Sequence, residues 1–339
     1  MKKLGKLLAW IVVALAVVFA VGITFTIGWR PFIGPQARIL TPRKFESTPA
    51  RIQRGEYLVS SVLDCMACHS EHDWTAHDAP LIPGTLGAGQ DMGLLKGLPG
   101  QVIASNITSD PETGAGSWSD DQLARAIREG VSHDGRALFP FMPYPDFRSL
   151  SDEDLASVIV YLRSLPPVRK QRPTTNLIFP VNYLIRTAPQ PLDAPVPEPD
   201  RSTPEKRGQY LVTIAGCTDC HTPPDAHGQP LPGMDFAGGF IFDGPWGRVA
   251  SANLTPDPTG IPYYDQAMFT QALRTGYVGA RKLSQIMPWY TYRGMTDEDI
   301  AAMFAYIKTL KPVHHNVDNS EPPTFCKLCR QTHGGGNQN

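Results

Sequence analysis

The sequence predicts an all-α protein: an N-terminal transmembrane helix, then two tandem copies of one small helical domain with long loops. Three observations predict it: an uncharged apolar run near the start, a series of short motifs that recurs once in the same order, and helically spaced apolar residues at three places in each copy. The composition agrees. Gly 30 plus Pro 33 in 339 residues interrupt the chain too often for long helices or a continuous parallel sheet. A hydrophobic share of 42% suffices for packed cores and excludes wholesale disorder. The 31 Lys+Arg against 32 Asp+Glu leave no basic excess, so no nucleic-acid partner is expected.

The run from Leu7 to Trp29 holds 23 residues without a charge, long enough to cross a hydrocarbon core as a helix. Lys2, Lys3 and Lys6 precede it, which keeps the N-terminus cytoplasmic and sends everything after Arg30 out of the cytoplasm. Trp10 and Trp29 stand near the two ends, where indole rings favour the headgroup region. The competing reading is a cleaved signal peptide, with Ala14-Leu15-Ala16 and Ala20 as small residues, but its apolar region is normally shorter. Without residues 1–30 the chain keeps 27 basic against 32 acidic side chains, which gives no reason to lie flat on anionic lipid.

The repeat sets the domain boundaries. Arg54-Gly55-Glu56-Tyr57-Leu58-Val59 returns as Arg207-Gly208-Gln209-Tyr210-Leu211-Val212, and Asn106-Ile107-Thr108-Ser109-Asp110-Pro111 returns as Asn253-Leu254-Thr255-Pro256-Asp257-Pro258. Met142-Pro143-Tyr144 returns as Met287-Pro288-Trp289, and Ser151-Asp152-Glu153-Asp154 as Thr296-Asp297-Glu298-Asp299. We divide the chain into an anchor (1–30), a linker (31–50), a first domain (51–170), a Pro-rich linker (171–203), a second domain (204–313) and a polar tail (314–339). Pro173, Pro180, Pro189, Pro191, Pro195, Pro197 and Pro199 make the second linker an extended, semi-rigid strap. The tail ends in Gly334-Gly335-Gly336-Asn337-Gln338-Asn339 and is expected to be mobile.

Each copy reads as three helices. The first carries Tyr57, Leu58 and Val62, or Tyr210, Leu211 and Ile214, at helical spacing. The middle one spans about Asp120 to Glu129, or Asp265 to Thr275, closed by Gly130 or Gly276. The last runs from Ser151 to Leu165 and from Thr296 to Leu310; Ser151 and Thr296 are natural N-caps, and the acidic residues that follow suit the helix dipole. Little between them reads as strand.

The six cysteines fall as three C-x-x-C pairs, and the first two are followed at once by histidine: Cys65-Met-Ala-Cys68-His69 and Cys217-Thr-Asp-Cys220-His221. This composition gives about 0.003 chance occurrences of such a pentapeptide, and there are two. Two adjacent thiols can add to the vinyl groups of a haem while the histidine reaches the iron from one face. A second axial ligand must come from a distant loop, and Met142 and Met287 are the repeat-equivalent candidates. A thioether sulfur favours ferrous iron. The prolines after them stiffen the loop and remove one N–H from an apolar pocket. A thioredoxin-like site would need alternating strands and helices, and a zinc site would need two further ligands close by. A lone methionine is ordinary core filler; Met92, Met234 and Met295, which have no counterparts, are read that way.

These motifs together resemble a membrane-anchored dihaem cytochrome c with two class I-type domains, close to the cytochrome subunits of membrane-bound alcohol, aldehyde and gluconate dehydrogenases. The resemblance covers about residues 51–170 and 201–313. It implies two covalently bound haem c groups, carried by Cys65, Cys68, Cys217 and Cys220, with His69/Met142 and His221/Met287 as axial iron ligands. It also implies that the first and last helices cross at a small residue facing an aromatic one, here Gly55 with Tyr161 and Gly208 with Tyr306. Those subunits typically carry three haems, and this chain has motifs for two.

The expected function is that of an electron carrier and not an enzyme. It would pass single electrons from a dehydrogenase or quinol-oxidising complex to a soluble cytochrome or terminal oxidase. The rival is a dihaem c-type peroxidase, which needs one haem open to peroxide; a haem-based sensor would need a signalling domain. The third pair, Cys326 and Cys329, is followed by Arg330 and has no proximal histidine. A local disulfide or a pair of surface thiols is expected there; a metal site drawing on His314, His315 or His333 would have irregular spacing. His72, His77, His133 and His227 read as solvated loop histidines, His133 being the one alternative ligand to watch.

Overall fold

A computed structural model describes residues 2–226 and 228–336 of the chain; His227 and Asn337–Asn339 lie outside the described residues. The first helix, Lys2–Phe25, is nearly all exposed and long and apolar enough to cross a membrane, with mean hydropathy 2.7 over its best window. It ends four residues short of Trp29. There Gly28 turns to φ 68 and donates its N–H to Ile23 O at 2.8 Å, while Trp29 Nε1 donates to Thr24 Oγ1 at 3.1 Å.

Beyond it the elements run twice in the same order. A lead helix (Pro49–Tyr57; Pro204–Ile214) is followed by a one-turn motif helix (Cys65–His69; Cys217–His221), a middle helix (Asp120–Glu129; Gln266–Thr275) and a closing helix (Asp152–Ser164; Asp297–Ile307). The lead helices begin alike: Thr48 and Thr203 accept from the N–H three residues on, and Pro49 and Pro204 fill the first helical position, where no N–H is missed. Ser119 closes a reciprocal capping box with Gln122, and Gly130 and Gly276 end the middle helices at φ 72 and 71.

Lead and closing helices cross where the glycine lies. A Cβ on Gly55 would sit 2.0 Å from Ser157 O and 2.6 Å from Tyr161 Cβ, and one on Gly208 would sit 1.9 Å from Ala302 O. Only a hydrogen side chain allows backbones this close. Leu58, Val62, Leu155 and Ile159 from the first copy, and Leu211, Ile214, Ile300 and Met303 from the second, are buried in one continuous apolar cluster.

The lead helices differ by one residue. Ten steps separate Gly55 from Cys65, and nine separate Gly208 from Cys217. The extra residue is absorbed by a π-turn at Leu58–Val62, closed by Leu63 N–H to Leu58 O at 2.8 Å. Both motif helices then start from a left-handed residue, Asp64 at φ 52 and Gly216 at φ 65.

Two expectations are corrected, on the Pro-rich segment and on the tail. The loops carry little strand, as expected. Five two-stranded ladders occur among the described residues, the longest pairing Ile241–Gly244 with Gly247–Ala250. Pairings of two to four residues satisfy loop backbone groups but are too short to show an alternating pattern. The Pro-rich segment is not extended throughout. Val181–Leu184 forms a helical turn after Pro180, and the segment is tied to the first copy by Asp152 N–H to Val196 O at 2.9 Å and Ser151 Oγ to Glu198 Oε1 at 2.7 Å. The tail to residue 336 is packed: His315, Asn319 and His333 are buried, and Arg248 Nη1 donates to Gly334 O at 2.9 Å.

Candidate haem sites

Each motif helix places its histidine beside the loop that carries the recurring asparagine. His69 Nδ1 lies 2.7 Å from Ser105 O, and His221 Nδ1 lies 2.7 Å from Ala252 O. A carbonyl can only accept, so Nδ1 carries the proton and Nε2 keeps its lone pair, the tautomer an iron ligand requires. Burial lowers the pKa of both imidazoles, with the carbonyl bond opposing it.

The carbonyls are themselves fixed. Asn106 Oδ1 accepts from Thr108 N–H at 3.0 Å and Thr108 Oγ1 at 2.7 Å, and its Nδ2 donates to Val168 O at 2.8 Å. Asn253 does the same with Thr255, at 2.9 and 2.8 Å, and with Val313 O at 2.9 Å. The repeated Asn-x-Thr segment thus ties the carbonyl that orients the histidine to the chain leaving the closing helix. The sequence showed this segment as a repeat; its role follows only from these bonds.

The two methionines occupy matching turns. Pro143 and Pro288 have φ/ψ of −78/49 and −80/49. The N–H of the next residue, Tyr144 or Trp289, donates to the carbonyl of Met142 or Met287 at 2.7 Å in both cases. This is an inverse γ-turn, which proline's fixed φ favours. Both methionines are half-buried at the edge of the apolar cluster. The following aromatic ring fills the space left by the glycine that ends the middle helix: a Cβ on Gly130 would lie 2.5 Å from the Tyr144 ring, and one on Gly276 2.4 Å from Trp289.

The thiols suit attachment to a prosthetic group. Cys65 and Cys217 are half-buried and Cys220 is exposed; burial pushes the Cys65 and Cys217 thiols up to about 12. A redox-active dithiol would have a lowered pKa. Next to each methionine lies a buried donor without a protein partner, Tyr144 Oη and Trp289 Nε1, and Trp74 Nε1 and Trp246 Nε1 are in the same state. Such orphans call for an acceptor that the polypeptide does not supply, and the propionates of a haem are acceptors of that kind.

The copies interlock at these sites. Asp64 Oδ1 accepts from Thr291 Oγ1 at 2.5 Å, so the first motif helix faces the second methionine turn. At the matching place in the other direction, a Cβ on Gly216 would lie 3.4 Å from Asp146 Oδ2. His77 is no solvated histidine: its ring lies against Trp289, centroids 4.8 Å apart, and Tyr277, 5.1 Å. Neither is His72, whose ring nitrogens lie 2.6 Å from Ala79 O and 3.0 Å from Met66 O, because residues 71–85 fold back over the motif helix. His133 is exposed and stacks on Trp118 at 4.2 Å.

Comparison with known proteins gives the family. A family model described as cytochrome c matches residues 205–311. A diheme cytochrome c-type protein of Cereibacter sphaeroides is 30% identical over 220 residues, which span 63% of this chain and 71% of the relative. The chain belongs to the cytochrome c family. Membership implies covalently bound haem c. The alcohol dehydrogenase (quinone) cytochrome c subunit of Gluconobacter oxydans is 28% identical over 79% of this cytochrome and 56% of its own length. A nicotinate dehydrogenase subunit of Pseudomonas putida is 34% identical over 74% of this cytochrome and 20% of its own length. The cytochrome therefore spans about half of the first and a fifth of the second. Their names give the peroxidase reading no support.

Proposed function

We propose that this cytochrome is a membrane-anchored, dihaem electron carrier. It would relay single electrons from a dehydrogenase or quinol-oxidising complex to a periplasmic acceptor or terminal oxidase. The observation that carries the reading is the duplicated histidine support, two imidazoles held through Nδ1 on equivalent carbonyls at 2.7 Å. Cys65, Cys68 and His69 with Met142 would hold one group, and Cys217, Cys220 and His221 with Met287 the other. Haem c would supply an iron that cycles between ferric and ferrous forms, and with a histidine and a methionine of the chain as its ligands no position would be left for substrate.

The chain's own part is to fix ligand orientation. The His69 and His221 rings are held by their carbonyls and the methionine turns by proline, so little reorganises when the charge at either centre changes. Each motif helix faces the other copy's methionine turn. That supports direct exchange of electrons between two neighbouring groups. The N-terminal helix would keep the relay at the membrane, with the haem-bearing part on the periplasmic side.

The test uses the full-length protein in detergent. Its mass should exceed that of the polypeptide by two haems, its reductive titration should take up two electrons per chain, and the dithionite-reduced form should not bind carbon monoxide. One attached group, or peroxide turnover with a reductant, would refute the reading. A dehydrogenase or quinol-oxidising complex co-purifying from membranes would identify the donor.

A further inference from the structure

The third cysteine pair is neither a disulfide nor exposed. Both thiols are free, and Cys329 is 2% exposed. Cys326 Sγ lies 3.4 Å from His315 Nε2, and Cys329 Sγ lies 3.1 Å from His333 Nε2. One donor atom from each of the four residues lies within 4.8 Å of every other. A tetrahedral ion with sulfur at about 2.3 Å and nitrogen at about 2.0–2.1 Å sets sulfur–nitrogen edges of about 3.6 Å. The observed spacing is close to that.

The supporting residues orient the donors as a metal would require. His315 Nδ1 lies 2.8 Å from Ala237 O and His333 Nδ1 lies 3.2 Å from Asn316 O, so both Nε2 lone pairs face the sulfurs. Cys326 and Cys329 sit in the turn of a hairpin that pairs Thr324–Phe325 with Thr332–His333. The turn is closed by Arg330 N–H to Cys326 O at 2.9 Å and Cys326 N–H to Gln331 O at 2.8 Å. Arg330 adopts φ 58, a left-handed conformation that residues with a Cβ keep only when the surroundings hold it. Gly239 makes room: a Cβ there would lie 2.7 Å from His315 Cε1 and 3.0 Å from His333 Nε2.

We propose that His315, Cys326, Cys329 and His333 bind one zinc ion as a structural site. Thiolate with imidazole in a tetrahedral arrangement selects zinc over the hard cations, and four protein ligands leave no open position for catalysis. The site fastens the C-terminal segment to the loop at Ala237–Gly238, which bonds the backbone of His221. Gly238 N–H donates to His221 O at 2.7 Å, one residue from the Ala237 carbonyl that holds His315. The first copy has an ion pair at the corresponding place. Arg172 Nε donates to Ala88 O at 3.1 Å, Glu71 accepts from Arg172 at 2.6 Å, and Lys170 Nζ lies 2.7 Å from the same carboxylate. One copy holds its exit strand by charge; the other holds it by metal.

The experiment measures metals in the purified full-length protein, with both haems attached, after growth with added zinc. About one zinc per chain is expected beside the haem iron, and cobalt(II) substituted for it should show the visible spectrum of a tetrahedral thiolate site. The double variant Cys326→Ser with Cys329→Ser should lose the zinc and keep its covalent haem. Should that variant not accumulate, the wild-type protein still decides. A mass lower by two hydrogens through a Cys326–Cys329 disulfide overturns the proposal, as does copper or iron in place of zinc, or no zinc at all. These readouts do not involve electron transfer, so the proposal and the carrier reading can fail separately.

Discussion

Met142 and Met287 sit in proline turns whose φ/ψ agree to within a few degrees in the two copies. Replacing either by alanine removes one sulfur and leaves the turn intact. The reduced Met142→Ala and Met287→Ala proteins should each bind carbon monoxide; uptake of the gas by the unsubstituted protein would dismiss both methionines as ligands. Arg38 shows what charge does at this scale. Its guanidinium donates to Asp121 through two nitrogens at 2.7 Å and to Glu129 at 2.7 Å, pinning the linker to the first middle helix. Burial pushes the Asp121 pKa up, but donation from Arg38 and Thr41 outweighs it and holds the carboxyl at about 2. A carboxylate depressed in the fold contributes stability above its ordinary pKa, and that contribution is lost as pH falls through the folded value. Arg38→Ala should therefore cost about 3–5 kcal/mol near neutrality, and denaturant titrations should find the penalty shrinking between about pH 4 and 2. A penalty that is the same at both ends would mean packing and not charge.

Among the elements, the crossing of lead and closing helices is the most tightly specified. Because a Cβ on Gly208 would sit 1.9 Å from Ala302 O, Gly208→Ala must push the helices apart, at about 1–3 kcal/mol. Gly55→Ala should do the same in the first copy. The midpoint of unfolding measures both, and an unchanged midpoint would mean that the helices are not in contact there. The lead-in motif, read in the sequence, already located this helix and its passage into the cysteines. The π-turn at Leu58–Val62 was not legible, since a single inserted residue can be absorbed in a helix, a cap or a loop. The short ladders were equally hidden, being set by loop closure and not by periodicity.

Across the whole molecule the copies exchange hydrogen bonds. Tyr210 Oη donates to Asp154 Oδ2 at 2.7 Å and accepts from Ser151 N–H at 3.3 Å, so a tyrosine of the second copy caps the closing helix of the first. Tyr57 returns the contact, donating to Asp299 Oδ2 and accepting from Thr296 N–H at 3.3 Å. With a shared apolar cluster beneath, the two copies should unfold together. Tyr57→Phe or Tyr210→Phe leaves a buried carboxylate, Asp299 or Asp154, short of a donor and should cost about 1–3 kcal/mol. Calorimetry should show one transition moving as a whole; two separable transitions, with only one displaced, would mean that the copies are independent.

The sequence by itself determined the duplicated order of elements, the membrane-length apolar run, and the C-x-x-C-H and Met-Pro motifs, because these are local strings whose chemistry or periodicity is readable in place. The tertiary structure alone decided which carbonyl orients each histidine, which tyrosine caps the other copy, and that a tail expected to be mobile gathers two thiols and two imidazoles. Those choices join residues 36 and 31 positions apart at the histidines and 242 apart at Tyr57. No local pattern encodes such pairings; they arise when packing brings unpaired polar groups together and burial makes leaving them unpaired too costly.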